Sequence, residues 1–560
     1  MAFESSPGYK DIFPGGKDNF NDLISNIPTK ALLTNLAVLN SQIYFKKPEK
    51  EILNLFLRRA PQQLEFIYKK LRDFNFTQQT NWHLFSEYYI TEMMMRVIQF
   101  ANSSEEDTTP ENDFNIFKAY LLIVDEINSK LDSISESIAV DPDHSFNSMS
   151  WPIMAKQYQF NQFPLGVFQT LKTAVLVDEL RKDTKIRERI DEFEQMLGMS
   201  IENYAKHLNE ISLLSKDVNK DGYTVPQFFF FLEEAKIQFL NHLLIDLNNI
   251  TSMDKFDLDY LAIKKFPLLK HKNNGFIFLN RNFFKNKIYN AFILDLYYST
   301  DMDSIFKGFP NFKKHIGEVV SEKRIFIPII SSIYSSKHYR LHFGDDKKGE
   351  PDCYLRFGNK IFLFEFKDYL MPSRVVQSYD FNVVKSEIDL KFIQNEKGRS
   401  KGITQLLNSI NYLNSKSYDF DDLVKAKVNR GKLEIYPIIV YSDFPYSMPG
   451  INNYLVKLFL KQLPDHSFKQ VFNPVMINLD FFFQYLPHLQ KTKLDKLIED
   501  YLKNLRNAKS NTRKSLSPNS WFNENKPFEF AIPFKYLKEN YKPEFSTKFL
   551  EMLGIKQQIK

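Results

Sequence analysis

The segment that most restricts the fold of this chain is Lys360 to Lys367, a strongly apolar run through Ile361-Phe362-Leu363-Phe364 that ends in Glu365-Phe366-Lys367. Gly358-Asn359 precedes it and Tyr354 to Phe357 lies before that turn, so the stretch reads as two strands of a hairpin. Side chains alternate faces along a strand, which puts Glu365 and Lys367 on one side and Phe366 on the other. A strand apolar enough to be buried has no packing reason to end in a carboxylate and an ammonium. Burying charge costs several kcal/mol unless the charge is paired or bound to metal. The end of this hairpin is therefore where a functional site is expected.

The chain has 560 residues, enough for three or four domains at about 150 residues each, and 43% apolar content fills ordinary cores. Formal net charge is +6, a mild excess that is compatible with nucleic acid without requiring it. Cys353 is the only cysteine, which excludes an intramolecular disulfide and a thiolate zinc cluster and fits a reducing compartment. Met1 to Gly16 has no apolar signal-peptide core, and no uninterrupted apolar run is long enough for a bilayer, so a cytoplasmic protein without membrane contact is expected. The 54 Phe and 28 Tyr carry little weight, since coding bias alone produces such an excess.

Residues from about 21 to 249 read mainly as helices. Leu32, Leu36 and Leu39 recur at helical spacing, as do Ile52, Leu55, Phe56 and Phe66. Polar linkers are expected at 102–113 and 141–150, and Met93-Met94-Met95 reads as core filling. From about Phe256 the pattern changes. A strand is expected at 275–279, helices at 283–298 and 312–322, the latter carrying Glu318, and a strand at 338–343 before the hairpin. After the hairpin come a basic connection, a helix at 402–413 and an apolar strand at 435–441. Beyond Pro449 helical patterns return, with a basic Ser/Asn loop at 507–520 and a final helix, and there is no repeat of fixed period. The expected fold class is α+β or α/β. A mixed sheet in the order αβββαβ joins a large all-helical N-terminal domain and a small helical C-terminal extension. The corresponding division is a tail at 1–20, a helical domain for sensing, docking or oligomerisation at 21–255, a sheet domain at 256–480 and an extension at 481–560.

Pro351-Asp352 stands just ahead of the hairpin, and adjacent strands bring Asp352 and Glu365 together. Mg²⁺ prefers oxygen ligands in near-octahedral geometry and takes one or two protein carboxylates, so this pair suits it, with the Phe366 carbonyl as a third ligand and Mn²⁺ as a substitute. Lys367 would sit beside the ion. Glu318 on the preceding helix would complete the acidic shell, with Glu322 one turn on as its rival. Pro142-Asp143 and Pro464-Asp465 are internal controls: neither is followed at hairpin distance by an apolar strand ending in acidic-x-Lys. The bland alternative is a surface hairpin with an exposed ion pair worth about 0–1 kcal/mol.

With these residues in place, 311–441 resembles the core of the PD-(D/E)xK nuclease superfamily, the restriction-endonuclease-like fold. The resemblance rests on Pro351-Asp352, on Glu365-Phe366-Lys367, on the helix with Glu318 before them and on the helix and strand after them. It implies Mg²⁺-dependent hydrolysis of phosphodiester bonds, DNA being favoured over RNA, with Asp352 and Glu365 as metal ligands, Lys367 catalytic and Glu318 auxiliary. Gln405, in the helix after the hairpin, is similar to a glutamine of the RecB-related members that lies near the metal. Those members often show a tyrosine one turn later, where this chain has Ser409 with Tyr412 nearby. Joined to a large helical half, such a nuclease resembles bacterial anti-phage defence or DNA-processing effectors. No Gly-x-x-x-x-Gly-Lys-Ser/Thr segment is present, so any coupling to ATP points to a separate ATPase or helicase subunit, and a homo-oligomer is a further expectation.

Cations that would track phosphates are Lys397, Arg399 and Lys401 before the helix at 402, Lys425, Lys427, Arg430 and Lys432 before the strand at 435, and the C-terminal set Lys503, Arg506, Lys509, Arg513 and Lys514. No helix-turn-helix or zinc-finger pattern accompanies them. Asp217 to Gly222 copies half of a calcium loop, but Phe228 stands where the closing glutamate belongs. His338 and His342 lack the glutamate of a zinc helix. Two other functions compete: a nuclease-like core that only binds nucleic acid or protein, and a scaffold whose helical half does the work.

Overall fold

The computed structural model describes residues 6–78, 83–99, 109–137, 145–160, 166–214, 216–218, 224–226, 229–231, 237–247, 260–271, 275–344, 349–489, 493–515 and 534. Among them the chain is an α+β protein, and its backbone contacts divide it into two units that interleave in sequence. The first comprises Met1–Asp141, Gln159–Thr173 and Glu188–Asp301, and the second Pro142–Tyr158, Ala174–Arg187 and Met302–Lys560. A consecutive division does not describe them, because short pieces of the helical half supply core to the second unit. No helix of the described residues is long and apolar enough to cross a membrane.

In the first unit the expected helices are present. The helix Thr29–Tyr44 buries Leu32, Leu33, Leu36 and Leu39, and Met93 and Met94 are fully buried in Glu87–Gln99. Two expected linkers contain helix starts, at Pro110–Ser137 in this unit and at Ser145–Gln157 in the second. The strand expected at 275–279 is β5 (Gly275–Phe278), and four further short strands were not expected: β1 (Lys216–Val218) pairs antiparallel with β2 (Thr224–Pro226), and β3 (Phe229–Phe231) and β4 (Leu268–Lys270) flank β5 in the order β3-β5-β4. Of the calcium-loop pattern, Asp217 lies in β1, while residues 219–222 and Phe228 lie outside the described residues. The helix expected at 283–298 is two, Arg281–Asn286 and Asn290–Ser299. The Asn280 side chain caps the first by accepting from Phe283 N at 3.0 Å.

The second unit is built on a six-stranded mixed sheet of β6 (Tyr339–Phe343), β7 (Cys353–Phe357), β8 (Lys360–Lys367), β9 (Glu434–Tyr441), β10 (Gln470–Val471) and β11 (Val475–Asn478). β6, β7 and β8 are successively antiparallel, β8 and β9 are parallel, and β10 and β11 both lie parallel along the outer side of β9. The hairpin is as read from sequence: Phe357 faces Lys360 across Gly358-Asn359, and Gly358 takes a φ of +58° that a side chain would strain. Every residue of β8 and β9 after the first is buried, which explains their near-continuous apolar character. Pro437 is tolerated inside β9 for a local reason. Pairing with β10 ends at Ile435 and resumes with β11 at Ile438, so the missing N–H falls where the ladder is interrupted.

Helices cover both faces of this sheet. On one, the helix Gly402–Ser415 lies across β8 and β9 and buries Ile403, Leu406, Leu407, Ile410 and Leu413, an apolar stripe at helical spacing. Its first residue, Gly402, has φ +35°, and a Cβ there would sit 2.8 Å from the Phe392 carbonyl oxygen and 3.3 Å from Ile439. The same core takes in Trp151, Val384, Ile388 and Tyr454. On the other face runs a continuous helical stretch, Phe309–Ile316, Gly317–Phe326 and Ile327–Ile333, whose middle part is π-helical. Its Phe326 stacks on Phe366 at 5.0 Å. The basic connection after β8 contains two helices, Ser373–Val376 and Phe381–Phe392, and the helix Leu494–Ser515 runs into what was expected to be a basic loop.

Candidate functional site

The strand register assembles the acidic pair. Cys353 faces Phe364, so Asp352, one residue earlier, comes opposite Glu365, and the pleat puts both on the face that carries Lys367 and meets the helix Gly402–Ser415. Asp352 Oδ2 accepts from Phe366 N at 2.6 Å and from Lys367 Nζ at 3.3 Å, and Lys367 Nζ donates to Glu365 Oε2 at 2.9 Å. One ammonium thus bridges two carboxylates. Glu365 is fully buried and Lys367 is 6% exposed, whereas the Asp352 side chain is 23% exposed and forms the accessible side of the group. Backbone N–H and C=O of a strand residue point the same way, so the Phe366 carbonyl projects on the edge where its N–H meets Asp352.

The electrostatics are those of a pair of acids with too little cation. Burial, reinforced by the neighbouring Asp352 charge, pushes the Glu365 carboxyl up to about 8, although Lys367 pulls the other way. For Lys367, burial alone would lower the ammonium's pKa, but Asp352 and Glu365 outweigh it and hold the group above its usual range. Glu365 Oε1 is buried with no hydrogen-bond partner. Gln405, one turn into the helix that crosses β8, likewise has a buried Oε1 without a partner. An unsatisfied buried carboxylate oxygen within the acidic pair is what a hard cation would relieve, so Asp352 and Glu365 fit one.

Glu318 does not join them. Its side chain is 56% exposed and pairs with Lys314 at 3.5 Å. From that helical stretch Lys313, Gly317 and Ser321 meet Asp368 on the reverse of the site. Lys313 Nζ and Ser321 Oγ donate to Asp368 Oδ2 at 2.5 and 2.7 Å, and Ser442 Oγ bonds Oδ1. Burial would raise the Asp368 carboxyl, but Lys313 and the two hydroxyls reverse this and hold it below the usual carboxylate range. Among the described residues no three His, Cys, Asp or Glu side chains form a cluster that would hold a metal ion. The donor set here is two carboxylates and a main-chain carbonyl.

Sequence reasoning missed Glu350, and it weighed His342 only with His338 as a zinc pair. Glu350 stands two residues before Asp352, a spacing that in an extended chain shares a face. Its Oε2 lies 3.8 Å from His342 Nε2, too far for a hydrogen bond, and both atoms are buried without a hydrogen-bond partner. Of the expected cations, Lys397 and Arg399 are exposed on the loop before Gly402 and Lys401 is half-buried at the helix N-cap. Lys427 and Lys432 are exposed, Lys425 pairs with Asp422 at 3.5 Å, and Arg430 Nη1 donates to the carbonyls of Asn414 and Ser415 at the end of that helix. Lys503 and Arg506 are exposed on Leu494–Ser515, whereas the side chains of Lys509, Arg513 and Lys514 lie outside the described residues.

No family model, curated protein or solved structure matches the chain.

Proposed function

We propose that the chain is a divalent-cation-dependent nuclease of the PD-(D/E)xK type, with DNA favoured over RNA. The observation that carries this reading is the Asp352–Lys367–Glu365 group at the end of a buried hairpin, with an unpartnered carboxylate oxygen inside it. The strand order β6-β7-β8-β9, antiparallel then parallel, with a helical stretch before it and the helix Gly402–Ser415 among those between β8 and β9, supports the same core. Asp352 and Glu365 would hold the ion, with the Phe366 carbonyl and the Gln405 amide oxygen beside them. When bound, Mg²⁺ or Mn²⁺ would supply Lewis acidity at a phosphate oxygen and a coordinated water of lowered pKa. Lys367, kept charged by its two neighbours, would face the negative charge that builds on phosphorus. Lys397, Arg399 and Lys427 offer exposed cations for the backbone of the substrate. A chain that joins a large helical unit to a cutting site without a P-loop fits, by analogy, a bacterial defence or DNA-processing effector working with a separate motor, alone or as a homo-oligomer.

The test is cleavage of duplex DNA, single-stranded DNA and RNA in Mg²⁺ by the full chain and by Asp352→Asn, Glu365→Gln and Lys367→Ala. Each variant is expected to lose on the order of a hundredfold or more. Undiminished cleavage by all three would sink the assignment. A second reading, a nuclease-like core kept only for binding, draws on the outward Glu318 and the absence of a third acid among the described residues. Nucleic-acid binding that persists in Mg²⁺ with no product on long incubation would favour it.

A further inference from the structure

We infer that Tyr418 is a positioning residue for the acidic pair: its hydroxyl fixes the loop that presents Asp352. The inference rests on the reading of Asp352 and Glu365 as a cation site.

Asp352 lies just outside β7, so the strand ladder alone does not fix it. Its carbonyl accepts from Gly344 N at 3.1 Å, and at Gly344 and Gly349 the space for a side chain is already taken. A Cβ on Gly344 would fall 2.4 Å from the Pro351 carbonyl oxygen. One on Gly349, whose φ is +88°, would fall 3.0 Å from the Tyr412 ring. At this point the Tyr418 hydroxyl donates to the Gly349 carbonyl at 2.6 Å. Tyr418 is 2% exposed, and burial, helped by the nearby Tyr412, Glu350 and Glu365, raises its pKa, so it remains a donor.

The hydroxyl is itself held without slack. The Tyr418 ring is stacked between Tyr412 at 4.7 Å and Phe420 at 4.9 Å, and Phe420 stacks on His342 at 3.7 Å, so four near-parallel rings run from the helix Gly402–Ser415 to β6. Asp421 closes the segment onto β7: it accepts from Arg356 Nε at 2.5 Å, Arg356 Nη2 at 2.7 Å and Tyr354 Oη at 2.7 Å. The segment Tyr418–Asp421 is therefore a strap clamped at both ends, and the Gly349 carbonyl is the point where it grips the loop of Asp352. Removing the hydroxyl leaves the stack and the clamp but releases that grip.

Tyr418→Phe tests this. With Mn²⁺ as the probe, titrated by electron paramagnetic resonance, its affinity is expected to fall about tenfold, the scale of one lost buried hydrogen bond. Cleavage is expected to need correspondingly more Mg²⁺ while approaching the wild-type rate at saturation. A merely structural role would lower thermal stability and move neither half-saturation value. Phe420→Leu, which disturbs the stack and keeps the hydroxyl, is expected to lose stability with Mn²⁺ affinity intact. Wild-type Mn²⁺ affinity in Tyr418→Phe, or an equal loss in Phe420→Leu, would overturn the inference alone. A wild-type chain that binds no Mn²⁺ would overturn it together with the reading on which it rests.

Discussion

Lys367 keeps two adjacent carboxylates from repelling one another, and the imbalance sets how the site titrates. Glu365 ionises near 4.5 in an unfolded chain and near 8 here, so between these values the folded state binds the extra proton. Stability from this group is complete below the unfolded value and is lost as pH rises through about 8. A cation that binds the ionised form restores it. The rise in melting temperature on adding Mn²⁺ should therefore be larger at pH 8.5 than at pH 6, and Glu365→Gln should remove both that rise and the metal-free loss at high pH. A Mn²⁺ shift that is independent of pH would contradict the account. Asp352, Glu365 and Lys367 were legible in the sequence because alternation along one strand and the register of one hairpin suffice to bring them together. Glu318 was not placed correctly, since its direction depends on the phase of a helical stretch that turns π-helical at Gly317, which periodicity does not reveal. Asp368 was invisible for a related reason: its partners Lys313, Ser321 and Ser442 come from two other elements.

Among the elements, the strap Tyr418–Asp421 is held by a buried bidentate pair, with Asp421 4% and Arg356 8% exposed. Asp421→Ala would leave the guanidinium buried and unpaired, at a cost of about 3–5 kcal/mol in denaturant unfolding. Exchanging both partners for apolar residues, Arg356→Met with Asp421→Leu, should recover most of it. A loss under about 1 kcal/mol in the single variant would mean that solvent screens the pair. The strap itself has no sequence signature, being four irregular residues fixed by distant partners. By contrast the helix Gly402–Ser415 and the strands β8 and β9 were readable from their apolar spacing. β10 and β11, two and four residues long, are too short for periodicity to register, and the helix Phe381–Phe392 was hidden by its charged flanks.

Across the whole chain, the interleaving of the two units has a consequence that linear domain boundaries conceal. Trp151 belongs to a helix from the N-terminal half yet is fully buried in the second unit, where its ring contacts Phe381 and Tyr454 and its Nε1 donates to the Pro449 carbonyl at 3.1 Å. A fragment of residues 250–560 would lack it. Such a fragment should melt well below the second unit of the full chain, and Trp151→Ala in the full chain should cost about 3–5 kcal/mol. Equal stability of the fragment would show that the segment 142–158 is dispensable. Interleaving escaped the sequence because it is set by contacts between residues hundreds of positions apart, which no local pattern encodes. The central claim, that Asp352 and Glu365 share a divalent cation, is tested most directly by anomalous diffraction from crystals soaked in Mn²⁺. A peak within about 2.5 Å of an oxygen of each carboxylate is expected. At saturating Mn²⁺, no peak there, with both carboxylates still on Lys367, would contradict it.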